Sequence, residues 1–256
     1  MRSGLREQEY LYCFIRESEP QIFKSKGMGD RGDPVTSIHY KDLGVVISTT
    51  PDAEYDPSRR HMMTHTKAQE EVMERYSILP VRFNTIAPGK EVIHNLLQEQ
   101  YDELQELLGT MQGKVEMGLK ALWYEGIIFD EILAEYADIR KLRDTLQKQP
   151  LQQTYHEQLR LGEMIEQAMQ QKRESEVALI LDRLQLHVID TQTDDLVSDR
   201  MILNAAFLVE QAKEPTLEQA VEAVDEEMGQ RILFRYVGPV PAYNFVNFVL
   251  RWQAEA

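Results

Sequence analysis

The chain has 256 residues, and its 28 basic and 43 acidic residues give it a formal net charge of −15. A hydrophobic fraction of 43% with 13 glycines and 10 prolines excludes a disordered or collagen-like chain. The acidic balance argues against partners such as nucleic acids and anionic lipid membranes, because both would repel the protein. The single cysteine, Cys13, excludes an internal disulfide and a cysteine-rich metal site.

The first ten residues carry arginines without an apolar stretch behind them, so we expect no secretory signal. No segment approaches the ~18 consecutive apolar residues of a membrane span. We therefore expect a cytoplasmic protein.

The first 125 residues predict layered strands and helices. Tyr10–Ile15 is an apolar strand candidate, Lys24–Pro34 is a glycine-rich loop, and Val35–Tyr40 with Gly44–Ser48 forms a hairpin. Asp56 or Ser58 can cap a helix that runs to about Tyr76.

An extended run at Ile78–Phe83 is followed by an amphipathic helix that begins after Gly89 and ends at Gly109 or Gly113. Lys114–Trp123 alternates apolar and polar residues with period two, which is typical of a strand with one buried face.

Two helices with coiled-coil-like seams come next. Apolar residues recur every three or four positions from Ile128 to Leu146 and again from Leu151 to Met169. Pro150 lies between them and prevents one straight helix. We expect an antiparallel helical hairpin, with a two-helix arm packed on a domain as the alternative.

The remainder predicts a second α+β unit. Leu184–Thr191 and Met201–Val209 are strand candidates, and Pro215 opens a helix with a capping box at Thr216 and a C-terminal glycine at Gly229. The last predicted elements are an alternating strand at Gln230–Val237 and an apolar run at Asn244–Trp252.

We therefore predict an α+β fold with two ferredoxin-like-type domains and a long helical hairpin between or beside them. The N-terminal α+β domain comprises residues 1–125. The C-terminal domain, residues 126–256, contains the hairpin (126–183) and an α+β unit (184–256).

Few residues carry candidate chemistry. His61 and His65 stand four apart on a predicted helix and could share a metal, but a packed or capping role for His65 is favoured, since a metal site needs three or four ligands. Arg82 lies in the extended run at Ile78–Phe83, where an ion pair with an acidic residue is favoured over contact with a ligand. Cys13 lies in an apolar strand candidate, so we favour a buried, unreactive thiol over a nucleophile. We expect no catalytic site, bound metal or cofactor.

Four segments together resemble sequence blocks of one known family. They are Leu79–Thr85 (LPVRFNT), Gly113–Lys120 (GKVEMGLK), Arg200–Val209 (RMILNAAFLV) and Gly238–Val246 (GPVPAYNFV). They resemble, in the same order, blocks of the gas vesicle GvpF/GvpL family.

The chain departs from that family's pattern at three positions. Asn84 replaces a glycine, and Val240 and Ala242 replace a tryptophan and a proline. A contact made by that tryptophan in other members cannot be made by Val240.

The resemblance implies a non-enzymatic minor shell component or assembly factor of gas vesicles, the hollow protein shells that make cells buoyant. It implies as partners the small, apolar, aggregation-prone shell protein GvpA and other accessory proteins. On this interpretation the protein limits GvpA aggregation during nucleation and is found in the cytoplasm and on the gas vesicle.

An alternative function is small-molecule binding or catalysis in a pocket lined by Arg82, His61 and His65. A convergent polar pocket would favour it, whereas an exposed apolar patch would favour partner binding.

The candidate partner-binding residues are four aromatic side chains near the C-terminus, of types that concentrate in interface hot spots: Tyr243, Phe245, Phe248 and Trp252. The competing interpretation is an edge strand of the second domain with half of these aromatics in the core.

Overall fold

The computed structural model describes residues 7–150 and 154–252, and its mixture of helices and strands confirms the α+β class. The elements of the first half are β1 (Gln8–Arg16), β2 (Ile22–Lys26), β3 (Pro34–Tyr40), β4 (Leu43–Thr50), α1 (Arg59–Met73), β5 (Ile78–Pro80), β6 (Ile86–Ala87), α2 (Lys90–Glu99) and α3 (Tyr101–Met111). Those of the second half are β7 (Lys114–Trp123), α4 (Ile127–Glu135), α5 (Ala137–Leu146), α6 (Tyr155–Leu184), β8 (Asp190–Thr193), β9 (Met201–Glu210), α7 (Glu214–Met228) and β10 (Ile232–Val240).

The chain divides into two compact units. The first contains the residues up to 116 together with the chain from 239 onwards, and the second contains residues 117–238. This division differs from the one expected from the sequence, because the last segment packs with the first unit. Independently folding domains at 1–125 and 126–256 stay a prediction.

The first unit is built on a sheet with β1 at its centre. The strand order is β2-β3-β4-β1-β5, and β6 also pairs with β1. The strand predicted at Tyr10–Ile15 is confirmed, and every one of its side chains is buried, so both faces of the sheet are covered at this strand. The β3–β4 hairpin is confirmed as well. The loop predicted at Lys24–Pro34 is wrong at its start, where polar residues form part of the edge strand β2.

Helices cover this sheet and match the sequence in part. Ser58 caps α1, with its Oγ accepting a hydrogen bond from the backbone N–H of His61 (3.3 Å). The single helix predicted after Gly89 is two helices, α2 and α3. The chain breaks at Gln100, whose backbone leaves the helical region (φ −105°, ψ 18°).

The second unit has a four-stranded sheet in the order β10-β7-β9-β8. The strands predicted at Lys114–Trp123 and Met201–Val209 are confirmed. The strand predicted at Leu184–Thr191 is wrong over most of its length: α6 runs to Leu184, a 3₁₀ turn follows, and β8 is only four residues long. Ile180 and Leu184 are buried one helical turn apart, so this spacing belongs to the helix.

The first helix predicted for the hairpin, Ile128–Leu146, is wrong as a single helix, because the chain is extended at Tyr136 and forms α4 and α5, which pack on α6. No helix passes through Pro150, since α5 ends at Leu146 and α6 begins at Tyr155. The seam of the second helix is only partly packed, because Tyr155 and Leu159 are exposed whereas Met169 is buried. Its first position, Leu151, lies outside the described residues. Among the helices that the structure describes, none is long and apolar enough to cross a membrane.

The predicted capping box at Thr216 is wrong. Helix α7 already begins at Glu214, with Pro215 in its first turn and no side-chain cap, so Thr216 lies inside the helix. The C-terminal glycine at Gly229 is confirmed. After β10 the chain forms neither helix nor strand as far as residue 252.

Candidate partner-binding surface

Residues 241–252, which we call the closing segment, lie against the first unit, where the side chain of Tyr243 provides their main anchor. The Tyr243 hydroxyl donates to Gln69 Oε1 (2.6 Å) and lies 2.8 Å from His65 Nε2. Gln69 and His65 come from successive turns of α1 and are both buried. A contact between residues 178 positions apart thus fixes the segment on the first unit.

Around this anchor the buried polar groups are fully hydrogen-bonded. Gln69 Nε2 donates to the carbonyl oxygens of Tyr12 (2.6 Å) and Val81 (3.1 Å). The Tyr10 hydroxyl lies 3.0 Å from His65 Nδ1 and accepts the backbone N–H of Asn84 (3.0 Å). Buried polar groups that all have hydrogen-bond partners avoid the free-energy cost of unpaired burial, and they make the surrounding structure more rigid.

The protonation states follow from burial. His65 is 1% exposed, and desolvation lowers its pKa to about 4, so the ring is neutral at pH 7. Its Nε2–H then donates to the Val81 carbonyl (3.0 Å), and Nδ1 accepts from Tyr10. Burial raises the pKa of the Tyr243 hydroxyl well above its usual value and that of Tyr12 to about 12. The cluster therefore holds the closing segment in place with a neutral imidazole and protonated hydroxyls.

Three further contacts hold the segment. The backbone N–H and side-chain amide of Asn244 donate to the buried carboxylate of Glu116 (3.0 and 2.8 Å). The Phe248 ring packs edge-on against the fully buried Phe14, with ring centroids 5.7 Å apart.

Gln100, at the break between α2 and α3, binds the end of the segment. Its Nε2 donates to the Val249 carbonyl (3.0 Å), and its Oε1 accepts the Arg251 N–H (2.9 Å). Gln100 thus interrupts the predicted helix and also binds the backbone of the closing segment through two hydrogen bonds.

The outer side of the closing segment exposes the apolar Val249 beside the polar side chains of Asn247 and Arg251. It borders a groove of 340 Å³, and Trp252 lines both this groove and a smaller one of 80 Å³ beside α2. Val249 is 63% exposed. The residues lining the larger groove are Pro80, Val81, Arg82, Thr85, Tyr243, Val246, Asn247, Phe248, Val249, Leu250 and Trp252.

The four predicted aromatic residues therefore have different positions. Tyr243 and Phe248 make the inward contacts described above, Phe245 is half-buried, and Trp252 is half-buried between the two grooves. The competing interpretation, an edge strand of the second domain, is wrong, because the segment is irregular and belongs to the first unit. Partner binding by these four residues stays a prediction.

The residues of the alternative pocket do not come together. His65 is buried in the core, Arg82 lines the groove of the closing segment, and His61 lines a separate depression in which its Nδ1 lies 3.0 Å from the Asp56 carbonyl. Within residues 7–150 and 154–252, no group of three or more histidine, cysteine or acidic residues is placed to hold a metal. Cys13 is buried, which raises the pKa of its thiol.

Sequence reasoning missed Gln69, Gln100 and Glu116, which hold the closing segment. Gln69 had a visible signal: it follows the buried His65 by one turn and precedes the buried Val72 by three residues, so a polar side chain stands on the core face of the helix. Glu116 interrupts no pattern, since the strand alternation assigns it to the polar face.

Comparison with known proteins gives a consistent result over nearly the whole chain. A family model described as "Gas vesicle synthesis protein GvpL/GvpF" matches residues 8–247. "Gas vesicle protein F" of Streptomyces sp. is 29% identical over 93% of this chain and 99% of its own length, and that of Microcystis aeruginosa is 27% identical over 94% and 98%.

Solved structures are similar as well. The crystal structure of the gas vesicle protein GvpF from Anabaena sp. PCC7120 has a TM-score of 0.81 at 25% identity and covers 95% of this chain and 99% of that one. The GvpF structure from Microcystis aeruginosa has a TM-score of 0.77 at the same identity, with 94% and 99% covered.

Proposed function

The chain belongs to the GvpL/GvpF family of gas vesicle synthesis proteins, and from this premise we propose that it binds the major shell protein GvpA and limits its aggregation while the shell is assembled. It acts in the cytoplasm and on the growing vesicle, together with other accessory proteins. It acts through protein–protein contacts and not through catalysis.

The observation that carries this proposal is the group of exposed and half-buried apolar side chains on the closing segment. Val249 is largely exposed, and Val246 and Trp252 line the groove beside it. An apolar shell protein offers few charges to contact, so affinity comes from buried apolar area, at about 25 cal/mol per Å² before the costs of binding are deducted.

The inward contacts support the same proposal. Because Tyr243, Asn244 and Phe248 fix the segment on the first unit, the outward side chains are held in place before a partner arrives. Preorganisation of this kind reduces the entropy lost on binding. The net charge of −15 keeps the protein dispersed while it carries an apolar surface.

The proposal is tested by diluting denatured GvpA into buffer and following light scattering with and without the protein. We expect the wild-type chain to suppress scattering and Trp252→Ala to suppress it less, at an unchanged melting temperature. Leu186→Ala is the matched control, because Leu186 is an exposed apolar residue of the second unit.

Suppression that collapses between low and physiological salt would contradict the apolar mechanism, because exposed charges are screened within about 8 Å at 0.15 M ionic strength. Failure of the wild-type chain to reduce scattering at all would contradict the function itself.

A further inference from the structure

An exposed arginine lies beside the closing segment of the first unit. Arg82 follows β5, is exposed, and lines the groove of the closing segment. Its carbonyl accepts a hydrogen bond from Thr85 Oγ1 (2.7 Å). Its guanidinium forms no hydrogen bond or ion pair with any residue in the described ranges 7–150 and 154–252.

In the chain as a whole, 43 acidic residues outnumber 28 basic ones. Two other arginines of the first unit face carboxylates: Arg31 pairs with Asp33 (2.7 Å), and Arg60 pairs with Asp30. The groove beside Arg82 is lined instead by Pro80, Val81 and Thr85 and by apolar and amide side chains of the closing segment, with no carboxylate among the lining residues. A guanidinium beside apolar surface keeps its donors available, and it is weakly hydrated compared with an ammonium group.

The neighbouring groove shows the same combination. Arg251 lines it together with Trp252, and the Arg251 side chain is also without a hydrogen bond or ion pair to the residues that the structure describes. Trp252 thus has an unpaired guanidinium in the groove on each side.

We propose that this surface binds an apolar partner segment that carries a carboxylate, with its apolar side chains against Val249 and Trp252 and its carboxylate on Arg82. The inference rests on the proposed function for the surface that is used, and it adds the chemistry of the occupant. Arginine binds a carboxylate through two parallel N–H···O bonds, which fixes orientation as well as position.

The arrangement gives selectivity. The chain as a whole repels acidic partners, because its net charge is −15. A carboxylate is accepted only where an unpaired guanidinium meets it, so an acidic segment in the wrong register is rejected by the surrounding charge.

The test uses two synthetic ten-residue peptides with blocked ends, identical apolar sequences and either one central glutamate or one central glutamine. Isothermal titration calorimetry with the full chain measures both affinities. We expect the glutamate peptide to bind roughly three- to tenfold more tightly, in keeping with a partly exposed charge-assisted contact.

Three variants locate the effect. Arg82→Gln should bind the two peptides equally, Arg82→Lys should keep part of the preference, and Arg235→Gln should keep all of it. Arg235 is the matched control because it is an exposed arginine on β10, in the second unit at residues 117–238. Equal binding of the two peptides by the wild-type chain, no binding of either, or a preference that survives in Arg82→Gln would overturn the inference.

The two proposals fail separately. If Arg82→Gln discriminates between the peptides as the wild type does while the wild type still suppresses GvpA aggregation, only the carboxylate inference is wrong. If the wild type prefers the glutamate peptide but leaves GvpA aggregation unchanged, the proposed function is wrong and the chemistry of the groove stands.

Discussion

At the scale of single residues, His65 links the stability of the first unit to pH. Its pKa is about 4 in the folded protein, because burial disfavours the imidazolium, against about 6.5 in an unfolded chain. Between these values the unfolded state binds more protons, so stability is lost as pH falls through that window. The tyrosine hydroxyls around the ring do not titrate there, since the ordinary pKa of tyrosine is near 10 and burial raises it further.

We expect the contribution of His65 to the free energy of unfolding to fall by about 3 kcal/mol between pH 7 and pH 4. Urea denaturation at a series of pH values measures the loss. His65→Gln is the comparison, because its side chain binds no proton in this range and its stability should vary less with pH. Parallel pH profiles for the two proteins would show that His65 is not responsible.

A second prediction concerns the hydroxyl that anchors the closing segment. Tyr243→Phe leaves Gln69 Oε1 without its donor in a buried site, so we expect a loss of about 1–3 kcal/mol in the free energy of unfolding. Tyr155→Phe is the matched control, because Tyr155 is 69% exposed and should lose almost nothing. Equal stabilities of the two variants would contradict the anchoring role.

At the scale of elements, local patterns predicted some strands well and the ends of helices poorly. Lys114–Trp123 was visible because alternation is set by the strand itself. The apolar residues near Leu184 fit both a strand and the last turns of α6, and only packing separates the two. The return of the closing segment to the first unit depends on a Tyr243–His65 contact that no local pattern contains.

Helix α6 is joined to the second sheet by a buried carboxylate, which leads to a third prediction. Glu176 accepts from the Trp123 indole N–H (2.6 Å) and from Arg231 (2.6 Å). Glu176→Ala leaves the Trp123 N–H without its acceptor, whereas Arg231 keeps its contact with Glu131, so we expect a loss of about 1–3 kcal/mol. Thermal or chemical denaturation measures the change.

Glu174→Ala is the matched control, since Glu174 is exposed on the same helix and should change stability by about 0.5 kcal/mol or less. Similar stabilities of the Glu176 and Glu174 variants would mean that the contacts of Glu176 contribute little to the second unit.

At the scale of the whole molecule, one chain combines a strongly acidic composition with a small apolar surface that its own C-terminal residues present. Composition alone predicted the dispersing charge. The division between inward aromatics such as Phe248 and outward residues such as Val249 could not be predicted, because an irregular segment has no periodicity to assign its two sides.

Co-purification of GvpA with a Val249→Asp variant tests the central claim most directly. Val249 is 63% exposed, so an aspartate there adds charge to the outer side without disturbing the core. We predict that GvpA no longer co-purifies with this variant, while its melting temperature stays within about 2 °C of the wild type, as expected for a surface substitution. Undiminished co-purification of GvpA with the correctly folded variant would contradict the proposal that the closing segment binds the shell protein.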